Sequence, residues 1–233
     1  MKQNISHFNK TERETTNIST FAKTKDKTMS WEQYIPSDLA DLYEVHDFKH
    51  AAAILSKEFP NEFAEICEAL RTFRFTIEDI QVSGGNESHI PKLFSDILRP
   101  MGWKEKNLEA ELNVYEVKGK KEKELKSSFS HGSHKVDYLK GRVAFDLEWN
   151  SKDQTFDRDL YAFRSFFEYD AISVGVLITR SNELDPLFKQ LDIHSKYGAS
   201  TTHIGKLLPR LYAGRNGGCP VMVFGITTKL IAQ

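Results

Sequence analysis

Cysteine is scarce in this sequence: 233 residues contain two, Cys67 and Cys219. Two lone thiols in a reducing compartment stay free rather than pair, and without histidines nearby they do not suggest a zinc site. Long apolar runs are missing too. None approaches the ~20 residues that a membrane-crossing helix needs. The stretch from Met1 to Met29 is polar and lacks the apolar segment of a secretory signal, so a cytoplasmic location is expected. An excess of either charge is also absent: 32 Lys and Arg face 33 Asp and Glu, a net charge of -1. That balance neither advertises nor excludes nucleic-acid binding, because basic residues can be gathered on one face whatever the total. Finally, there is no GxGxxG or GxxxxGK before a helix, no HExxH and no GxSxG. The glycine-rich run Gly214-Arg215-Asn216-Gly217-Gly218 precedes a strand and reads as a turn. A nucleotide cofactor is therefore not expected.

What is present is ordinary for a globular chain, with 39% hydrophobic and 28% charged residues. The length suits one sizeable domain. Residues 1–28, rich in Lys, Thr, Asn, Ser and Glu, are expected to form a flexible tail or an arm that embraces DNA. Residues 29–233 then form the single domain, and Met29 is an alternative start. Phe48, Ala51, Ala52 and Leu55 recur at helical spacing, with Asp47 as a candidate cap. Pro60 opens a second helix with Phe63, Ile66, Cys67, Leu70 and Phe73 on its apolar stripe. Ile90, Leu93, Phe94, Ile97 and Leu98 make a third, ending near Pro100-Met101-Gly102.

The period then changes. Leu108 to Val117 alternates as a strand, the charged run Lys118 to Lys126 reads as an exposed turn or hairpin tip, and Val136 to Trp149 supplies more strand. Phe156 to Phe167 is helical, Ile172 to Thr179 a buried strand, His203 to Leu211 a helix and Val221 to Ile226 a final strand. Helices followed by interleaved strands and helices predict an α/β fold, a mixed central sheet flanked by helices.

The segment from His134 to Asp153 carries the chemistry. Val143, Phe145, Leu147 and Trp149 alternate with Ala144, Asp146 and Glu148, so Asp146 and Glu148 project from one face. Asp137 lies nine residues before Asp146, and a hairpin turning at Gly141 would bring it alongside. Three converging carboxylates repel unless a cation joins them, and oxygen ligands select magnesium, calcium or manganese. A D-x-E pair alone is equally at home on the solvent face of a strand. Lys152, just beyond, could hold a phosphate or be simply solvated. Arg158 could face DNA or pair with Asp157 or Asp159. Arg210 and Arg215 could touch phosphates, and His131 and His134 could be ligands or residues of a flexible loop.

This segment resembles the active-site region of the BglII-type type II restriction endonucleases, the family of BamHI-like and BstYI-like enzymes. Their pattern is an aspartate and, about nine residues on, an acidic residue followed at the second place by Glu or Gln. Val136-Asp137-Tyr138 matches the first part and Asp146-Leu147-Glu148-Trp149-Asn150-Ser151 the second. The likeness extends from Tyr43 to Ile226. It implies a restriction-endonuclease-like PD-(D/E)XK core, a Mg2+-dependent, sequence-specific endonuclease of double-stranded DNA, and a homodimer. By position Asp137, Asp146 and Glu148 are the implied metal-binding catalytic residues. Aspartate at 146 stands where the family usually has the longer Glu, and Glu148 where the wider superfamily has Lys. The implied DNA contacts are Asn150, Ser151, Lys152 and Arg158, with Ser200, Thr201, Thr202, His203 and Lys206 in the place of a recognition loop. Read without the family, Ser200-Thr201-Thr202 is a helix cap. The competing expectations are a non-specific, repair or anti-phage nuclease of the same fold, and a non-catalytic DNA-binding module.

Overall fold

A computed structural model of the chain describes residues 31–82, 89–119 and 122–232. The expected tail over residues 1–28 lies outside the described residues. The elements run in the order α1 (Ser37–Leu42), β1 (Tyr43–Phe48), α2 (Ala51–Glu58), α3 (Pro60–Thr72), α4 (Ile77–Gln81), α5 (His89–Leu98), β2 (Lys104–Lys118) and β3 (Glu122–Lys140). They continue with β4 (Val143–Glu148), α6 (Thr155–Glu168), β5 (Val174–Arg180), α7 (Asp185–Gln190), α8 (Ile204–Tyr212) and β6 (Val221–Ile226). A six-stranded sheet is ordered β1-β6-β5-β4-β3-β2. Its centre is parallel, β4 on β5 and β5 on β6, and its margins are antiparallel. This is the mixed sheet that the sequence predicts.

Period-two alternation sorts the two faces of this sheet. Val143, Phe145, Leu147, Val174, Val176, Ile178, Met222 and Phe224 pack in one core with residues of α2, α3 and α5. Ala144, Leu177, Val221 and Val223 pack in a second with α6 and α8. Strands covered on both sides bury every residue, as β4, β5 and β6 do. Asp146 and Glu148 share the face of Ala144, so they lie beneath α6 rather than in solvent.

Glycine at 175 lets α6 approach this closely. A Cβ there would stand 2.5 Å from the Phe163 ring, less than any real packing contact. Gly175→Ala is expected to push α6 off the sheet and destabilise the fold by about 1–3 kcal/mol, read as a lower urea midpoint with unchanged slope.

Several local readings change. Phe48 ends β1 instead of opening a helix, and α2 begins after His50, which takes a left-handed conformation at φ 61°. Asp47 still serves that helix start, accepting from the Ala52 N–H at 3.2 Å. The run Lys118 to Lys126 is not just a tip: β3 begins at Glu122 and pairs back along β2. The resulting ribbon leaves Leu112, Val114, Tyr115, Val117, Leu125 and Phe129 exposed. No helix among the described residues is long and apolar enough to cross a membrane.

Candidate active site

The hairpin between β3 and β4 turns at Gly141, whose φ of 54° suits a residue without a side chain. Its register pairs Lys140 with Val143 and Tyr138 with Phe145, which brings Asp137 beside Asp146. The Asp137 backbone N–H donates to Asp146 Oδ1 at 2.7 Å. Two residues on, Glu148 is anchored through its own carbonyl, which accepts from the Thr179 hydroxyl of β5 at 2.6 Å. Asp146 is 3% exposed and Glu148 6%, so the solvent-face reading of the D-x-E pair does not hold.

A fourth carboxylate joins them, one that the sequence reading treated only as a salt-bridge partner. Asp159, on α6, is 2% exposed and interacts directly with Glu148. The signal was its helical register: Phe156, Leu160 and Phe163 all face the second core, and Asp159 lies on the same side. Arg158, its neighbour, caps the cluster. The guanidinium bonds Asp159 Oδ1 at 3.0 Å and reaches Glu148 Oε1 at 3.5 Å, yet its side chain is 69% exposed.

All four acids are held above the ordinary carboxylate range. Burial raises Asp137, against the pull of Lys135 and Arg158. Burial, then the charge of Asp137, raises Asp146 well above its usual value, with the Asp137 N–H opposing. Burial also lifts Glu148, which Ser151 and Arg158 draw back. Asp159 is pushed well up by burial and then by Asp146 and Glu148. One arginine does not offset this many buried acids.

Carboxylate oxygens are the kind of donor that hard divalent cations take. Among the described residues Asp146 Oδ2 and Asp159 Oδ2 are buried without a hydrogen-bond partner, a costly state for carboxylate oxygens unless a proton or a cation neutralises them. No three Asp, Glu, His or Cys side chains among the described residues already stand in a coordinating arrangement. Mutual repulsion and the turn of Asp146 Oδ1 toward the backbone act against such a gathering in the bare protein.

The expected recognition residues separate into two groups. The backbone of residues 200–202 is stitched to the segment just past β4: Asp153 N–H donates to the Ser200 carbonyl and Thr202 N–H to the Ser151 carbonyl, each at 2.9 Å, around a Lys152–Thr201 bridge. Thr201 and Thr202 are buried. The Thr201 hydroxyl donates to the Gly198 carbonyl at 2.7 Å and accepts from Arg180 at 2.7 Å. Neither threonine caps α8, whose N-cap is His203 without a side-chain capping bond, so the cap reading is corrected. Ser200 and Lys152 are exposed, and Asn150, Ser151, His203 and Lys206 are half-buried. His203 Nδ1 lies 3.1 Å from Asn182 Oδ1, and Lys206 lies 4.0 Å from Asp153. Arg210 and Arg215 both pair with Asp157. His131 and His134 lie in β3, not in a loop, and the His134 ring packs edge-on to Tyr161 at 4.8 Å.

Comparison with curated proteins gives no match to this chain. The family model described as restriction endonuclease BglII/BglIII matches residues 43–226, from the first residue of β1 to the last of β6. Matched over this much of its length, the chain belongs to the BglII/BglIII restriction endonuclease family.

Proposed function

We propose that this protein is a type II restriction endonuclease: a homodimer of nuclease domains, residues 29–233, that cleaves double-stranded DNA at a specific sequence in the cytoplasm. The observation that carries the reading is the unpartnered, buried Asp146 Oδ2 beside Asp137, Glu148 and Asp159 in a chain of this family. Asp137, Asp146 and Glu148 would hold Mg2+. The ion, when bound, supplies an acidified water and charge neutralisation at the phosphate.

The chain's own groups do the positioning. The Asp137 N–H fixes the Asp146 carboxylate, and Thr179 fixes the backbone that carries Glu148. Glu148 stands where the wider superfamily has lysine, so no ammonium group on this strand can orient the attacking water. Arg158, exposed at the edge of the carboxylates, would meet the incoming backbone phosphate. Ser200, His203, Lys206 and Lys152 present polar groups around one loop that is tied to the catalytic strand's continuation. Thr201 and Thr202 hold that loop in shape. A two-fold dimer places two such centres across the strands of a symmetric target.

Incubating the purified protein with unmethylated phage DNA and Mg2+ is expected to give discrete fragments that vanish when the metal is chelated. A Mg2+-dependent smear would replace specificity with general nuclease action. Intact DNA across several unmethylated genomes would leave a DNA-binding module.

A further inference from the structure

Asp159 is the one member of the carboxylate cluster that lies on a helix and outside the strand hairpin. A carboxylate on the buried stripe of a helix has few reasons to be there. It contributes nothing to packing that an apolar residue would not do better, and its desolvation is costly. In the bare protein it pairs with Arg158, through Oδ1, and interacts with Glu148. A pairing with an exposed arginine does not require a buried acid, because an Asp one position away on the outer face would serve as well. The other oxygen, Oδ2, is buried with no partner among the described residues, as is Asp146 Oδ2. Acids from β4 and α6 already share one positive charge, since the Arg158 guanidinium reaches both Glu148 and Asp159.

Resting on the proposed metal-dependent function, we infer that Asp159 is a fourth cation-binding carboxylate of this site, and that Arg158 is the counter-charge that stands in for the cation while the site is bare. The guanidinium reaches both Asp159 and Glu148, and its exposure leaves it free to swing outward. A divalent ion bound to these acids takes over the neutralising role of Arg158. The arginine is then released to the phosphate of DNA. Cation binding and DNA engagement are coupled through this exchange, since each removes a competitor of the other.

The test needs no DNA and no turnover. Free Mn2+ is followed by its paramagnetic resonance signal during titration of wild type, Asp159→Asn and Asp146→Asn, with melting temperatures measured beside each. For Asp159→Asn the expected result is Mn2+ affinity lower by about 10-fold or more, with a melting temperature that rises in chelator. The shape is kept while one repelling charge is removed. An unchanged Mn2+ isotherm for Asp159→Asn, with Asp146→Asn impaired, would overturn the inference and leave Asp159 a partner of Arg158 alone. If Asp146→Asn also binds Mn2+ as wild type does, the metal-dependent reading of the whole site fails with it. Should Asp159→Asn melt below wild type, Asp159→Glu decides: restored Mn2+ binding supports a ligand, and unrestored binding counts against one.

Discussion

Asp146→Asn is expected to lower the rate of Mg2+-dependent DNA cleavage by ~10³-fold or more, measured under single-turnover conditions, while the protein stays folded. The magnitude follows from the proposed role: a metal's stabilisation of the transition state is worth several kcal/mol, and each 1.36 kcal/mol is tenfold. The substitution removes a charge and very little shape. The amide oxygen that replaces the carboxylate can still accept from the Asp137 N–H, so the hairpin register is kept. A drop in rate accompanied by loss of folded protein would not count in favour, which is why unfolding must be followed on the same sample. Cleavage within a few-fold of wild type would remove Asp146 from the metal site.

The second large effect concerns acid and stability. Asp137, Asp146, Glu148 and Asp159 all have folded-state pKa values raised above the ordinary 3.8 or 4.5 of their side chains. Burial is the first cause at each, and the neighbouring carboxylates add to it. A raised acid binds its proton more tightly in the folded chain than in the unfolded one. Its contribution is therefore fully present below the ordinary carboxylate range and is lost as the pH climbs through the raised values. In chelator the protein is expected to melt lower at pH 8 than at pH 5, by on the order of 5 °C. Asp38, Glu44 and Glu124 work in the opposite sense, because Arg71, His46 and Lys118 respectively hold them low. The comparison that isolates the cluster is thus wild type against Asp146→Asn, whose melting temperature should depend less on pH. Mg2+ should restore wild type at pH 8. A wild-type curve parallel to that of the variant would show that the acids are not strained by one another.

Much of this site was legible because local sequence rules enforce it. Alternation along β4 put Asp146 and Glu148 on one face, and Gly141 marked the turn that returns Asp137 to them. The family likeness pointed to the same three residues, and its bounds are those of the family match. Asp159 was harder, because its neighbours Arg158 and Asp157 make the helix read as a solvated salt-bridge face. Only the register with Phe156, Leu160 and Phe163 betrays its burial. Thr201 was illegible for a different reason. Its partner, Arg180, lies on another strand, and nothing local says that a buried guanidinium will claim the hydroxyl. Strand β1 escaped notice because its residues, apart from Tyr43, are only half-buried at the sheet's edge, where no apolar pattern is imposed. The β2–β3 ribbon outran the expected hairpin because both its faces meet solvent, so polar and apolar residues are equally tolerated there.

The order of the sheet also governs when the protein can become whole. Among the described residues strand β1 sits at one edge of the sheet and pairs only with β6, Tyr43 against Ile226 and Phe48 against Val221. Strand β1 must therefore wait until β6 has been made before the two can pair. Contacts this distant in sequence slow folding, since the loop entropy is lost before the pairing rewards it. The parallel β5–β6 register waits on the same residues. The carboxylates of β3, β4 and α6 are synthesised well before the sheet that steadies them is complete. During translation, then, the acids exist without their scaffold, and the interval before closure is when the chain is most exposed to misassembly.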